Sequence, residues 1–255
     1  MIEMILVLTY HKVLREVEPK PEFYTVEAEH LETQLDTLAR SGFDALAPTD
    51  LLNFQSRQRP GYVLTFDDGT LDHYEVVAPI VERHRVRAIF FVPTAKLGRA
   101  GYMTSEQVAD LGRAGHTLGL HSHEHRRLDW LMEEDIRVQM DVSRQILGEL
   151  AGSPPVMFAP VGGFMDRRVK RVALESGVQV IRTMHWGYNR RCDVKELECI
   201  PLNRFVDQEQ FSRVLRMRSR SLLYAAKQVT KKMVPGVVYE RLREWVFKLL
   251  GRGQR

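Results

Sequence analysis

Seven short apolar runs, each separated from the next by a stretch with helical spacing, recur along this 255-residue chain and leave few folds open to it. The runs are Ile5 to Tyr10, Tyr62 to Phe66, Ala88 to Val92, Thr117 to Leu120, Val156 to Ala159, Val178 to Thr183 and Glu198 to Leu202. Short apolar segments rich in β-branched and aromatic residues read as buried strands. Between them, Leu31, Leu35 and Leu38 repeat at helical spacing until Gly42. Val76, Val77, Ile80 and Val81 mark a second helix, Thr104 or Ser105 caps a third, and Glu133 to Leu150 and Arg168 to Glu175 complete the set. Such an alternation builds a parallel α/β sheet with right-handed crossovers, either open or closed into a barrel. In both forms functional groups gather beyond the C-terminal ends of the strands. Tyr10-His11, Asp67-Asp68, Thr94, His121, Pro160 and Asn203-Arg204 each stand just past such an end, so one rim is expected to collect them.

Two of these groups carry metal chemistry. Asp67 and Asp68 are adjacent at a strand end, and neighbouring carboxylates repel unless a cation or a proton is shared between them. Downstream, His121-Ser122-His123-Glu124-His125 puts two imidazoles four residues apart, a spacing that brings both to one side of a turn or tight loop. Two imidazoles and one carboxylate make a facial set that leaves coordination positions open, as a catalytic zinc requires. Asp68 is the natural carboxylate, with His121 and His125, and Asp67 stays free beside the metal as a base. His123 lies between the two and is expected to point elsewhere.

These motifs resemble those of the polysaccharide deacetylases, the NodB-homology group of carbohydrate esterases (family four). Thr65-Phe66-Asp67-Asp68-Gly69 and His121-Ser122-x-x-His125 are similar to the first two family motifs, and the likeness runs over about residues 5 to 205. It implies a deformed (β/α)7 barrel. Asp67 is then the general base, and Asp68, His121 and His125 are the ligands of a divalent metal. Zinc is the expected ion, with cobalt, nickel or manganese as alternatives.

The third motif corresponds to Phe158-Ala159-Pro160-Val161-Gly162-Gly163, where Ala159 replaces the usual arginine. The resemblance implies a substrate-side role for Pro160 and an oxyanion role for the Gly162 N–H. Trp186 stands alone for the fourth motif and is expected to wall the acetyl pocket. The late histidine of the fifth motif is missing, but Leu8-Thr9-Tyr10-His11 resembles permuted members that carry it on the first strand. The resemblance makes His11 the general acid with Tyr10 beside it on the substrate side, and Arg204, near the last strand, a candidate to orient Asp67. The implied reaction is metal-dependent removal of an N-acetyl group from a glycan or lipid-linked saccharide. Two alternatives are an O-deacetylase and a decayed glycan- or lipid-binding scaffold.

Charge divides the chain. Twelve of the 37 basic residues but only two of the 33 acidic ones fall in 211–255, a net of +10 that leaves the rest at −6. Apolar positions in that tail repeat at helical spacing, so residues 1–210 read as the catalytic domain and 211–255 as a basic amphipathic extension, suited either to an anionic membrane surface or to packing on the barrel as a helical pair with its charges solvated. No motif accompanies the charge that would indicate nucleic acid. No apolar run approaches the roughly 18 residues that cross a bilayer. The N-terminus carries Glu3 and no basic segment, so it reads as a strand and a cytoplasmic location is expected, at most peripheral on the inner face of the membrane. Cys192 and Cys199 match neither a disulfide framework nor a zinc spacing.

Overall fold

The computed structural model describes residues 4–16, 21–52, 59–190 and 193–216. The expectations for the tail and for Cys192 fall mostly or wholly outside them. Met1–Ser212 form one compact unit, which holds every candidate site residue, and Arg213–Arg255 form a second. No helix among the described residues is long and apolar enough to cross a membrane.

In chain order the strands are β1 (Ile5–Tyr10), β2 (Lys12–Leu14), β3 (Thr25–Glu27), β4 (Asp44–Ala45), β5 (Gly61–Asp67), β6 (Ala88–Val92), β7 (Thr117–Leu120), β8 (Met157–Phe158), β9 (Val180–Trp186) and β10 (Leu197–Pro201). The helices are α1 (Ala28–Arg40), α2 (Ala78–Arg83), α3 (Ser105–Arg113), α4 (Glu133–Ala151), α5 (Arg167–Glu175) and α6 (Gln208–Leu215). Strands β5 to β10 pair in sequence order, and β1 closes the ring by pairing with both β10 and β5. The result is a closed seven-stranded parallel barrel. Its closure is uneven. The β1–β5 pair runs in register from Ile5↔Gly61 to Tyr10↔Phe66, whereas β7 and β8 meet only at Leu120↔Phe158. The seven expected strands are the seven barrel strands. Sequence periodicity missed the two-residue β4, which flanks β5, and the small β2–β3 ribbon.

Because side chains alternate along a strand, each barrel strand feeds two layers. Ile5, Val7, Val63, Ile89, Phe91, Met157, Ala159, Val180, Leu197 and Cys199 fill the interior, and Leu46 and Leu51 join them from the segment after α1. The other faces pack under helices, where Tyr10, Phe66 and Phe90 stack with ring centres 5.2 and 5.3 Å apart. Toward the C-terminal ends the interior turns polar. Thr9 and Thr65 share a 2.9 Å hydrogen bond, and above them lie the buried Asp67 and Arg182. An apolar floor beneath a polar lid confines the reactive groups to one end.

Gly119 on β7 shows how tightly this interior is filled. A Cβ there would sit 2.4 Å from Cδ1 and 2.5 Å from Cε1 of Phe91. The ring occupies the volume that any side chain at 119 would need. Gly119→Val is expected to lower stability by about 1–3 kcal/mol through overpacking, read as a lower urea midpoint at unchanged slope; an unchanged midpoint would contradict it.

Candidate active site

Asp67 ends β5 and faces the barrel interior, in phase with Val63 and Thr65. On a continuing strand Asp68 would face the opposite way. It does not, because its backbone turns left-handed at φ 82° and swings the carboxylate back over the barrel mouth. Gly69 follows at φ 64°, lying over Val92 and Pro93. Ser122 (φ 57°) and His125 (φ 61°) are also left-handed, so three of the four described non-glycine residues with positive φ belong to this site. Backbone held in sparsely populated conformations concentrates where geometry serves function.

His121 follows β7 directly, and His125 reaches back from a loop, so the four-residue spacing is realised by a loop and not a helix. His125 Nε2 lies 2.9 Å and His121 Nε2 3.3 Å from Asp68 Oδ1. Donor atoms of the three side chains all lie within 4.8 Å of one another. Helix α4 braces the loop: Gln139 Oε1 accepts from the His123 and Glu124 N–H groups at 3.1 and 2.9 Å. His123 turns away, hydrogen-bonded through Nδ1 to Thr94 Oγ1 at 2.7 Å.

The hydrogen-bond pattern tests whether these residues suit a cation. His121 Nδ1–H donates to the Ala159 carbonyl at 2.7 Å, so in the neutral ring Nε2 carries the lone pair. That lone pair faces a carboxylate oxygen at 3.3 Å, an arrangement that requires a cation or a proton between them. A backbone carbonyl fixing the distal nitrogen of an imidazole is the usual support of a metal-ligating histidine. The donor set fits a divalent metal. Without one, burial opposes the charge of His121, but the hydrogen bond to Asp68 and the neighbouring carboxylates outweigh it and raise the pKa. Burial likewise works against the Asp68 carboxylate, and hydrogen bonds from His121 and His125 hold it well below the usual range.

Asp67 has a different partner. Arg182 of β9, itself 2% exposed, places its Nη2 on both carboxylate oxygens of Asp67 and its guanidinium 5.1 Å from the Phe91 ring centre. This corrects the expectation for Arg204, whose Nη1 donates to the Pro21 carbonyl at 2.7 Å and whose guanidinium lies over the Phe205 ring. Arg182 was missed because it stands inside an apolar strand and away from the motifs. A charged residue in a buried strand was nonetheless the available signal.

His11 completes the cluster, its Nε2 3.8 Å from Asp67 Oδ2 and its ring stacked on Tyr24 at 4.5 Å. Burial lowers its pKa, opposed by the Asp68 and Asp67 carboxylates. The segment after Gly69 anchors its backbone. His73 Nε2–H donates to the His11 carbonyl at 2.7 Å, and Asp72 Oδ2 accepts from the Val13 N–H at 2.7 Å. Tyr10 is a second correction. One residue earlier on the strand, it faces the helix layer, fully buried, with its hydroxyl donating to Gln34 of α1 at 2.7 Å. Pro160 and Gly162 follow Ala159 in a tight turn beside His121, with Gly162 at φ 61°. Trp186 ends β9, half-buried, edge-on to Tyr188 at 5.3 Å.

A sequence profile of the family described as polysaccharide deacetylase matches residues 55–181. YxkH of Bacillus subtilis is 24% identical over 184 residues, 68% of this chain and 62% of that protein. A peptidoglycan-N-acetylglucosamine deacetylase of Bacillus cereus is 28% identical over 128 residues, 48% of this chain and 45% of its own length. The chain thus matches about half to three fifths of these relatives. Among solved structures, the Streptococcus pyogenes deacetylase PplD in complex with acetate superposes with a TM-score of 0.76 at 20% identity, covering 84% of this chain and 99% of that one. IcaB from Ammonifex degensii gives 0.74 at 21% identity, covering 85% and 98%. At these identities the likeness is one of fold.

The Arg182–Asp67 pair is open to test apart from the metal ligands. Arg182→Met leaves a buried carboxylate without its counter-charge and is expected to cost about 3–5 kcal/mol in urea unfolding. Metal uptake, which rests on the other carboxylate, should stay near that of the parent by elemental analysis. Loss of metal in step with stability would show the two carboxylates to be one unit.

Proposed function

The chain belongs to the polysaccharide deacetylase family, and on that premise we propose that it is a metal-dependent hydrolase releasing acetate from an N-acetylated sugar of a glycan or lipid-linked saccharide. One observation carries the reading. Two adjacent carboxylates share the barrel mouth, yet Asp68 is turned toward two imidazoles while Asp67 is held by a guanidinium and lies beside a third imidazole. Environments that differ this sharply assign different tasks to like groups.

Asp68, His121 and His125 hold the divalent ion, and two imidazoles with one carboxylate favour zinc. Bound there, it supplies Lewis acidity that polarises an acyl carbonyl and makes water a better nucleophile at neutral pH. Asp67 takes the proton from the attacking water, positioned by Arg182 and kept out of the ligand set. His11 delivers a proton to the departing amine. Its Nε2, 3.8 Å from Asp67 Oδ2, gives the proton gained by that carboxylate a short path to the leaving group. Water is consumed, the C–N bond breaks, and acetate and a free amino sugar are formed.

Elemental analysis paired with acetate release from N-acetylated glycans, before and after chelation, tests the proposal. About one zinc per chain and chelator-sensitive release are expected. Protein that neither takes up zinc nor releases acetate overturns it. Asp67→Asn should keep the metal and lose activity by about 100-fold or more, whereas His125→Ala should lose the metal.

Metal affinity should also depend on pH in a defined direction. His121 must be neutral to ligate, and its pKa in the metal-free protein is raised by Asp68. Zinc therefore competes with a proton below that raised value, and affinity falls by about tenfold per pH unit through a window that opens above the ordinary histidine pKa. Competition titrations from pH 8 downward read this directly. A flat profile to below the ordinary histidine range would remove His121 from the ligand set.

A further inference from the structure

The rim beside His11 carries a rank of aromatic rings that this chemistry does not use. Tyr24 stacks on His11 with ring centres 4.5 Å apart and planes within 13°. Phe23 meets Tyr24 edge-on at 4.8 Å, and Phe205 lies 5.8 Å beyond Phe23. Phe205 is 49% exposed. A lone exposed apolar side chain needs no explanation. Phe205 is the outer end of a continuous aromatic path that starts on a ring beside Asp67.

The ring is also held in place. The Phe205 N–H donates to Asn203 Oδ1 at 3.0 Å and the Val206 N–H to the Asn203 carbonyl at 2.9 Å, and Asn203 is itself buried. The Arg204 N–H donates to the Phe23 carbonyl at 3.3 Å, its Nη1 to the Pro21 carbonyl, and its guanidinium lies 4.7 Å from the Phe205 ring centre. Arg204, expected to serve Asp67, instead ties the loop after β10 to the loop between β2 and β3. The outcome is an aromatic face held in place by backbone hydrogen bonds, with the Arg204 guanidinium over its outer ring; Glu22, on the loop that carries Phe23 and Tyr24, pairs with Lys12 of β2.

We propose that Phe205, backed by Phe23, is a stacking subsite for a second pyranose ring of the substrate, beyond the sugar that loses its acetyl group. A pyranose offers one apolar C–H face and a rim of hydroxyls. The first suits an exposed aromatic ring, and the second suits a neighbouring guanidinium. A protein partner would need a wider apolar patch than this single ring provides. Binding energy from a remote sugar positions the reacting one. The proposal rests on the reading that the substrate is a saccharide.

Binding is measured by NMR titration of N-acetylglucosamine and its linear tetrasaccharide, in an Asp67→Asn background that blocks turnover. The tetrasaccharide is expected to bind more tightly than the monosaccharide. Phe205→Ala should weaken the tetrasaccharide about fivefold and leave the monosaccharide unchanged, and Phe205→Tyr should restore the difference. Equal affinity for the two lengths, no effect of Phe205→Ala on the tetrasaccharide, or an equal loss on both would overturn the subsite. Acetate release by the parent separates this from the chemistry. Release without length-dependent binding removes the subsite alone, and length-dependent binding without release removes the hydrolase alone.

Discussion

Two carboxylates on consecutive residues at the mouth of a closed barrel set the terms for everything around them. Asp67 is buried and Asp68 partly so, and their mutual repulsion is tolerable only if each has a positive partner of its own. The fold supplies these from opposite directions. Arg182 comes up the barrel wall to Asp67, and His121 and His125 converge on Asp68 from the loop after β7. A left-handed residue at 68 lets neighbouring side chains serve one site while meeting different partners. The backbone strain and the charge separation are thus two sides of one arrangement. The packed interior beneath the site lets the surrounding structure bear that strain.

The alternation of strand faces decides what each neighbouring residue can do. On β1 it sends Thr9 inward and Tyr10 under α1, and the backbone beyond the strand brings His11 to the rim. On β9 the inward phase gives Arg182 to Asp67, while the adjacent Thr183 spends its hydroxyl on the Leu197 carbonyl at 2.9 Å. Supports from outside the barrel then fix the loops. Gln139 holds the segment of His123 and Glu124, and Asp72 and His73 hold the segment that carries His11. Each is a buried or half-buried polar side chain that hydrogen-bonds loop backbone, which is how a rim of loops is tied to the structure around the sheet.

What could be read from the sequence follows the same physics. Strand number, order and parallel sense were legible because fully buried strands announce themselves as apolar runs. Closure followed only from the motif resemblance, which implied a seven-stranded barrel, because β1 pairing with both β5 and β10 leaves no trace in either run. Asp68, His121 and His125 were legible as a set because the two histidines are four residues apart and the strand–helix alternation puts them on the same rim as the strand-end Asp68. Arg182 was visible only as a charged residue in a buried strand; its role was not, because its partner lies 115 residues away and its strand neighbours look like core. Tyr10 was misplaced because adjacency to His11 in sequence was taken as adjacency in space, which a strand forbids. Arg204 was misplaced for the opposite reason, since it stands at the correct rim but its guanidinium is engaged by the loop that bears Phe23.

The location of Arg182 also accounts for the smallness of Ala159. Strands β8 and β9 pair in parallel at Met157↔Val180 and Phe158↔Ile181. One step further, Ala159 comes level with Arg182, and both face the interior above the apolar floor. A long side chain at 159 would compete with the guanidinium for the space beside Asp67. Alanine leaves that space to the neighbouring strand, and its carbonyl remains available to fix His121. One backbone position thereby serves both carboxylates: its missing side chain makes room for the guanidinium on Asp67, and its oxygen orients an imidazole that faces Asp68.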